Sequence, residues 1–161
     1  MSLQNTYTKK SILFRCLAVL LIGILFSFFT VTAFAASVTG DSWAFTLGSK
    51  DYLNYSGLSY ISSYGWLTGS TTADCQTSTC ASGYLGAKPN IYKENSSGTY
   101  SLVGAGVWQY STRSCWAYTN GTTSYDDPET GYYICQGQSA VYYDGSYQRN
   151  LTYGTPLIQV D

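Results

Sequence analysis

The sequence predicts an all-β fold, an antiparallel β-sandwich or small barrel of about eight short strands stabilised by disulfides. Three observations carry this. No window beyond residue 36 holds a long apolar repeat at helical spacing. Clusters of Gly, Ser, Thr, Asn and Asp interrupt the chain at roughly ten-residue intervals, as turns between short strands do. Hairpin links between strand-like runs, Asp144-Gly145 the clearest of them, complete the pattern.

Trp43 to Leu47 reads as a terminal strand. Tyr84 to Glu94 and Thr99 to Val103 flank Asn95-Ser96-Ser97-Gly98, a hairpin signal, with Pro89 marking an edge or a strand start. Val107 to Tyr118 alternates. It sets Trp108, Tyr110, Trp116 and Tyr118 on one side and Gln109, Ser111, Arg113 and Cys115 on the other. Its expected partner is Gly131 to Gln136, with Asn120-Gly121 and Asp126-Asp127-Pro128 turning the chain between them. Asp144-Gly145 predicts a two-residue hairpin loop that sets Tyr143 against Ser146 and Tyr142 against Tyr147. Of the two faces this creates, Tyr142, Tyr147, Arg149, Leu151 and Tyr153 form the expected inner one, and Gln148, Asn150 and Thr152 the outer. Thr155 to Val160, with Pro156, reads as the last strand. Aliphatic residues are few enough that Tyr is expected to supply much of the buried area.

Residues 1–35 differ from the rest. Lys9, Lys10 and Arg15 precede an uncharged apolar run, and Ala33-Phe34-Ala35 supplies small residues for a signal peptidase, so a secretory leader cut after Ala35 is expected. An uncleaved anchor is the alternative, since the uncharged stretch from Cys16 to Ala36 is long enough to span a bilayer. The expected product is a single all-β domain over 36–161, secreted and without stable membrane insertion after cleavage. Export places Cys75, Cys80, Cys115 and Cys135 where thiols oxidise, and the favoured pairing is Cys75–Cys80 with Cys115–Cys135. Zinc fits poorly, because no Cys-x2-Cys element occurs.

Composition excludes several functions. The chain has no His, which removes His-based catalysis and His-ligated metal. Residues 36–161 hold five basic and nine acidic side chains, a net −4, and no basic cluster, so no nucleic-acid partner is expected. No cofactor is expected either.

Ser82-Gly83-Tyr84-Leu85-Gly86-Ala87-Lys88-Pro89-Asn90-Ile91-Tyr92, with Ser101-Leu102-Val103 and Val107-Trp108-Gln109-Tyr110, resembles small secreted β-sandwich proteins of Gram-positive bacteria without an assigned activity. That resemblance implies export and a β-sandwich, and it transfers no catalytic residue. Through Ala105-Gly106-Val107-Trp108 the chain is also similar to the lactococcin 972-like secreted bacteriocins.

The aromatic residues are the strongest functional signal, because Tyr and Trp join a flat apolar face to a polar edge. Tyr142, Tyr147, Arg149, Trp108 and Trp116 are the candidate ligand-binding residues, for an extracellular glycan or protein surface. If the face bearing Trp108, Tyr110, Trp116 and Tyr118 is buried, those rings are core instead. A non-catalytic binding module is therefore expected, with a bacteriocin-like antimicrobial or toxin protein as the alternative. A third reading, a carboxylate-dependent hydrolase, needs two acids facing across a cleft. Asp51, Asp74, Glu94 and Asp144 are scattered. Asp126, Asp127 and Glu129 are a weak calcium candidate whose simpler reading is a solvated turn. Asn54, Asn95, Asn120 and Asn150 each open an Asn-x-Ser/Thr triplet and are read as turn chemistry.

Overall fold

The computed structural model describes residues 35–161; the expected leader, up to residue 34, lies outside them. No helix occurs among the described residues, and the strands lie in antiparallel sheets that do not close into a barrel.

One layer is a five-stranded sheet built on β3 (Lys50–Ile61). Along one side β3 pairs with β4 (Trp66–Cys75), from Tyr52 opposite Cys75 to Ile61 opposite Trp66. Its other side is shared by β1 (Ala35–Thr39) and β2 (Trp43–Leu47), and β9 (Ala117–Asp126) flanks β4. The pleat sends alternate side chains of β3 inward, so Tyr52, Asn54, Ser56 and Leu58 are buried. The outer face is hydroxyl-rich, with Ser37, Ser59, Thr68 and Ser124 forming one row across four strands.

The facing layer is made of four chain segments, each broken in the middle. β5 (Leu85–Lys88) and β6 (Asn90–Glu94) are separated by Pro89. β7 (Tyr100–Ala105) and β8 (Gln109–Tyr110) follow, then β10 (Gly131–Cys135) and β11 (Gln138–Tyr143), and finally β12 (Ser146–Leu151) and β13 (Ile158–Val160). The orders β13-β10-β6-β7 and β12-β11-β5-β8 run through the same segments in the same sequence. The layer is therefore two half-sheets meeting at a kink.

Each half-sheet closes its own apolar core against the five-stranded sheet. One contains Leu58, Leu67, Ile91, Tyr133, Cys135, Ile158 and Val160. The other contains Tyr52, Ala73, Cys75, Cys80, Leu85 and Val141. A polar seam lies at the kink, where ladder bonds are interrupted and side chains replace them. Ser56 Oγ lies 2.7 Å from Thr152 Oγ1 and 3.1 Å from Thr71 Oγ1, and the Gly137 amide donates to Ser56 Oγ at 3.1 Å and to Thr152 Oγ1 at 3.0 Å. The Asn54 amide donates to Ser139 Oγ at 2.9 Å. That of Asn120 donates to the carbonyls of Ala87 and Val107, both at 3.0 Å. Pro89, which has no N–H, still accepts at its carbonyl from the Gly106 amide at 2.9 Å and from Thr123 Oγ1 at 3.1 Å.

Several expectations are corrected here. Among the described residues thirteen strands form rather than about eight, because breaks at the kink divide long runs. Val107 to Tyr118 is not one strand. Gln109–Tyr110 pairs with β5, Cys115 bridges to Cys80, and Ala117 opens β9, so β10 pairs with β6 and β13 instead. Asn120 and Gly121 sit inside β9, where Asn120 is buried. Of the four triplets, only Asn95 does turn chemistry, donating to Thr99 and Ser101 across its hairpin. The Asp144-Gly145 hairpin forms in the expected register, but its faces are exchanged: Tyr147, Arg149, Leu151 and Tyr153 point outward and Thr152 is buried. The small Ser139 and the aliphatic Val141 claim the inner positions of β11, and a paired strand must follow that choice. Tyr contributes less to the core than expected, with only Tyr52 and Tyr133 buried among the described residues. None of the four Trp is buried.

Candidate functional site: an aromatic sheet face and a thiol cluster

The outer face of the β12-β11-β5-β8 half-sheet follows from register. Tyr110, Gly86, Ala140 and Arg149 form one row across the four strands. The adjacent row holds Tyr84, Tyr142 and Tyr147, with the Tyr142 amide donating to the Tyr84 carbonyl at 2.8 Å. On the far side, Lys88, Gln138 and Leu151 lie in register, and Trp108 stacks on Tyr110 with ring centroids 6.0 Å apart.

Strands β8 and β12 are three strand spacings apart, about 14 Å. Their side chains nevertheless meet over the small residues of the middle strands. Tyr110 and Tyr147 approach to 4.6 Å between centroids, and the Arg149 guanidinium carbon lies 4.9 Å from the Trp108 centroid. This roof explains why Gly86 and Ala140 are buried on an outward face. Tyr142 joins Tyr84 at 5.1 Å and Tyr147 at 5.2 Å, and the Tyr147 hydroxyl donates to the Gly83 carbonyl at 2.7 Å. Burial first, then the neighbouring hydroxyls of Tyr110 and Tyr142, pushes the Tyr147 phenol above its ordinary range.

The rings stay partly open: Tyr84 is 41 % exposed and Tyr147 37 %. Of the expected residues, Tyr142, Tyr147, Arg149 and Trp108 come together. Trp116 does not; it is exposed ahead of β9, where its carbonyl accepts from the Cys75 amide at 2.8 Å. Tyr84 and Lys88 lie outside the candidate set, and Tyr110 comes from the aromatic side of the 107–118 run. The period-two spacing of Tyr84, Gly86 and Lys88 marks one face of β5, but only the pairing of β5 with β11 places that face here.

The four thiols are unbonded in this structure. Cys80 and Cys115 are opposite partners of an isolated antiparallel bridge, exchanging amide-to-carbonyl bonds of 2.8 and 3.0 Å. Cys75 and Cys80 belong to one buried core cluster, and Tyr52 Oη lies 3.9 Å from Cys80 Sγ. Cys135 belongs to the other core half, with its sulfur 3.4 Å from the Ser70 carbonyl. The expected Cys115–Cys135 pairing is therefore not what the fold assembles. Burial raises the Cys75 pKa, but the amides of Ser78 and Thr77, the Cys80 thiol and Lys50 outweigh it and hold the thiol below its ordinary value. Burial, then Cys75, pushes Cys80 up. Burial pushes Cys135 to about 11.

Glu129 pairs with Lys93 at 2.7 Å, and Asp126 faces Trp66 across the ladder. Among the described residues, no three acidic or thiol side chains converge as a metal site. No family model matches the chain, and no curated protein or solved structure is significantly similar to it.

Proposed function

We propose that this chain is a secreted, non-catalytic binding module that contacts an extracellular glycan or protein through the aromatic face of the β12-β11-β5-β8 half-sheet. The single observation behind this reading is the continuous ring array from Tyr84 through Tyr142, Tyr147 and Tyr110 to Trp108, part-open to solvent and fixed by cross-strand contacts. Rings held in place beforehand lose little freedom on binding, and their faces suit the apolar faces of sugar rings. Oxidation of the exported thiols belongs to the same reading.

Glycan arrays and pull-downs from cell envelopes test it. Binding is expected, and Tyr147→Ala is expected to weaken it at least about fivefold. Trp116→Ala, away from the array, is expected to leave it unchanged. Absence of binding in both formats overturns the reading, as does an affinity indifferent to Tyr147.

A further inference from the structure

Three of the four described cysteines gather in one half of the sandwich, and their neighbours differ. Cys115 is half-buried and lines an open cleft of about 370 Å³ together with Arg113 and Tyr118. Cys80, 2 % exposed, faces it across a hydrogen-bonded bridge. Opposite residues of such a bridge have Cα atoms about 5.5 Å apart, inside the span of a disulfide. Cys75, 1 % exposed, shares a buried core cluster with Cys80, and Cys115 packs against that cluster. The loop between them is tied to the start of β3, because the Gln76 amide donates to the Asp51 carbonyl at 2.8 Å and the Asp51 amide to Thr77 Oγ1 at 2.9 Å.

We infer that the three thiols form a relay in which Cys115 takes up oxidising equivalents at the surface and Cys80 passes them inward, ending in a single Cys75–Cys80 disulfide. The oxidant is a small-molecule disulfide. The Cys115 thiolate attacks one of its sulfurs, forming a mixed disulfide and releasing one thiol, which takes the proton Cys115 gave up. Cys80, deprotonated, attacks the Cys115 sulfur; the second small thiol leaves with that proton and a Cys80–Cys115 bond remains. Cys75, as thiolate, then attacks Cys80, and Cys115 departs and recovers the proton Cys75 lost. Overall the two inner thiols give up two electrons and two protons, and the small disulfide becomes two thiols. Cys75 is the ready attacker in the last step, because backbone amides and Lys50 favour its thiolate, and the Cys75–Cys80 bond that results lies within the core cluster both residues share. Cys135, buried in the other core, takes no part.

The test uses the chain in a Cys16→Ser background with oxidised glutathione as the probe. Intact mass is expected to fall by about 2 Da on oxidation, one bridge's worth of hydrogen, and peptide mapping is expected to place that bridge at Cys75–Cys80. Cys115→Ser is expected to reach the same bridge on the order of tenfold more slowly, since the buried pair loses its surface entry. Cys75→Ser is expected to trap Cys80–Cys115. A second bridge, a bridge containing Cys135, or a Cys115→Ser rate equal to that of the parent overturns the relay.

Discussion

Arg149 and Trp108 belong to opposite edges of one half-sheet, yet the guanidinium carbon of the first lies 4.9 Å from the ring centre of the second. Only small residues between them permit this. Gly86 and Ala140 occupy the middle of the row, and a larger side chain at either would hold the edges apart.

Gly86 is the first test of that dependence. A Cβ there would lie 2.5 Å from Cδ1 of Tyr110 and 3.3 Å from the Gln109 carbonyl. Gly86→Ala is expected to push the Tyr110 ring off the sheet, costing about 1–3 kcal/mol in urea unfolding. The near-UV dichroism of the ring array should weaken in parallel, and an unaltered spectrum would show that Tyr110 adapts in place.

Much of the sheet face is legible in the sequence, but which side of it is buried is not. Asp144-Gly145 fixed the register of β11 and β12, because a two-residue loop leaves one way to pair Tyr142 with Tyr147. It did not fix which face is buried, since both faces of the hairpin carry apolar residues. That choice is made by Ser139 and Val141, whose partners lie in β3, β4 and β5, far off in sequence. The thiol cluster was hidden for a similar reason: Cys80 and Cys115 become neighbours only through an isolated bridge with no strand around it. The alternation of Val107 to Tyr118 sets Trp108 and Tyr110 on one side together with Trp116 and Tyr118, but the chain leaves the sheet at Thr112–Ser114, which separates the two pairs.

Charge should select among ligands. Lys88 and Arg149 lie on the aromatic face, and the residues in register with them include no carboxylate, although residues 36–161 are acidic in total. If the face binds a glycan, acidic polysaccharides are expected to bind better than neutral ones, with an affinity that falls as salt rises. Replacing Lys88 and Arg149 by Gln should remove most of that salt dependence while leaving neutral-sugar binding in place. Calorimetric titration across ionic strengths reads both effects.

Gly137 tests the seam. An added Cβ would collide with Thr71 Oγ1 and lie 2.7 Å from the Lys88 carbonyl, while the Gly137 amide must still reach Ser56 and Thr152. Gly137→Ala is expected to destabilise the fold by about 2–4 kcal/mol, combining overpacking with a broken buried network. Chemical denaturation measures the loss, and a cost below that of an ordinary surface change would contradict the packing described.

Alkali should weaken the fold from a definite direction. Burial raises the Cys135 pKa from an ordinary 9.0 to about 11, so between those values an unfolded chain releases a proton that the folded chain keeps. The stabilising contribution is complete below about pH 9 and is lost as the pH climbs toward 11. Burial moves Tyr52, Tyr118 and Tyr133 the same way, which steepens the decline above their ordinary value of 10.0. Unfolding free energies across that range should show this slope, and Cys135→Ala should flatten its first part.

The buried amides of Asn54 and Asn120 bear on how the molecule is best produced. Both stand in triplets that an oligosaccharyltransferase accepts, and both are shut inside the sandwich once strands pair. In a yeast or mammalian secretory pathway the enzyme meets the nascent polypeptide first, and a branched sugar on either side chain would keep the two layers from closing. Bacterial expression, or exchange of Ser56 and of the hydroxyl residue two places after Asn120 for Ala, avoids that tag. The Ser56 exchange would forfeit a hydroxyl on which the middle of the barrier between the two cores depends.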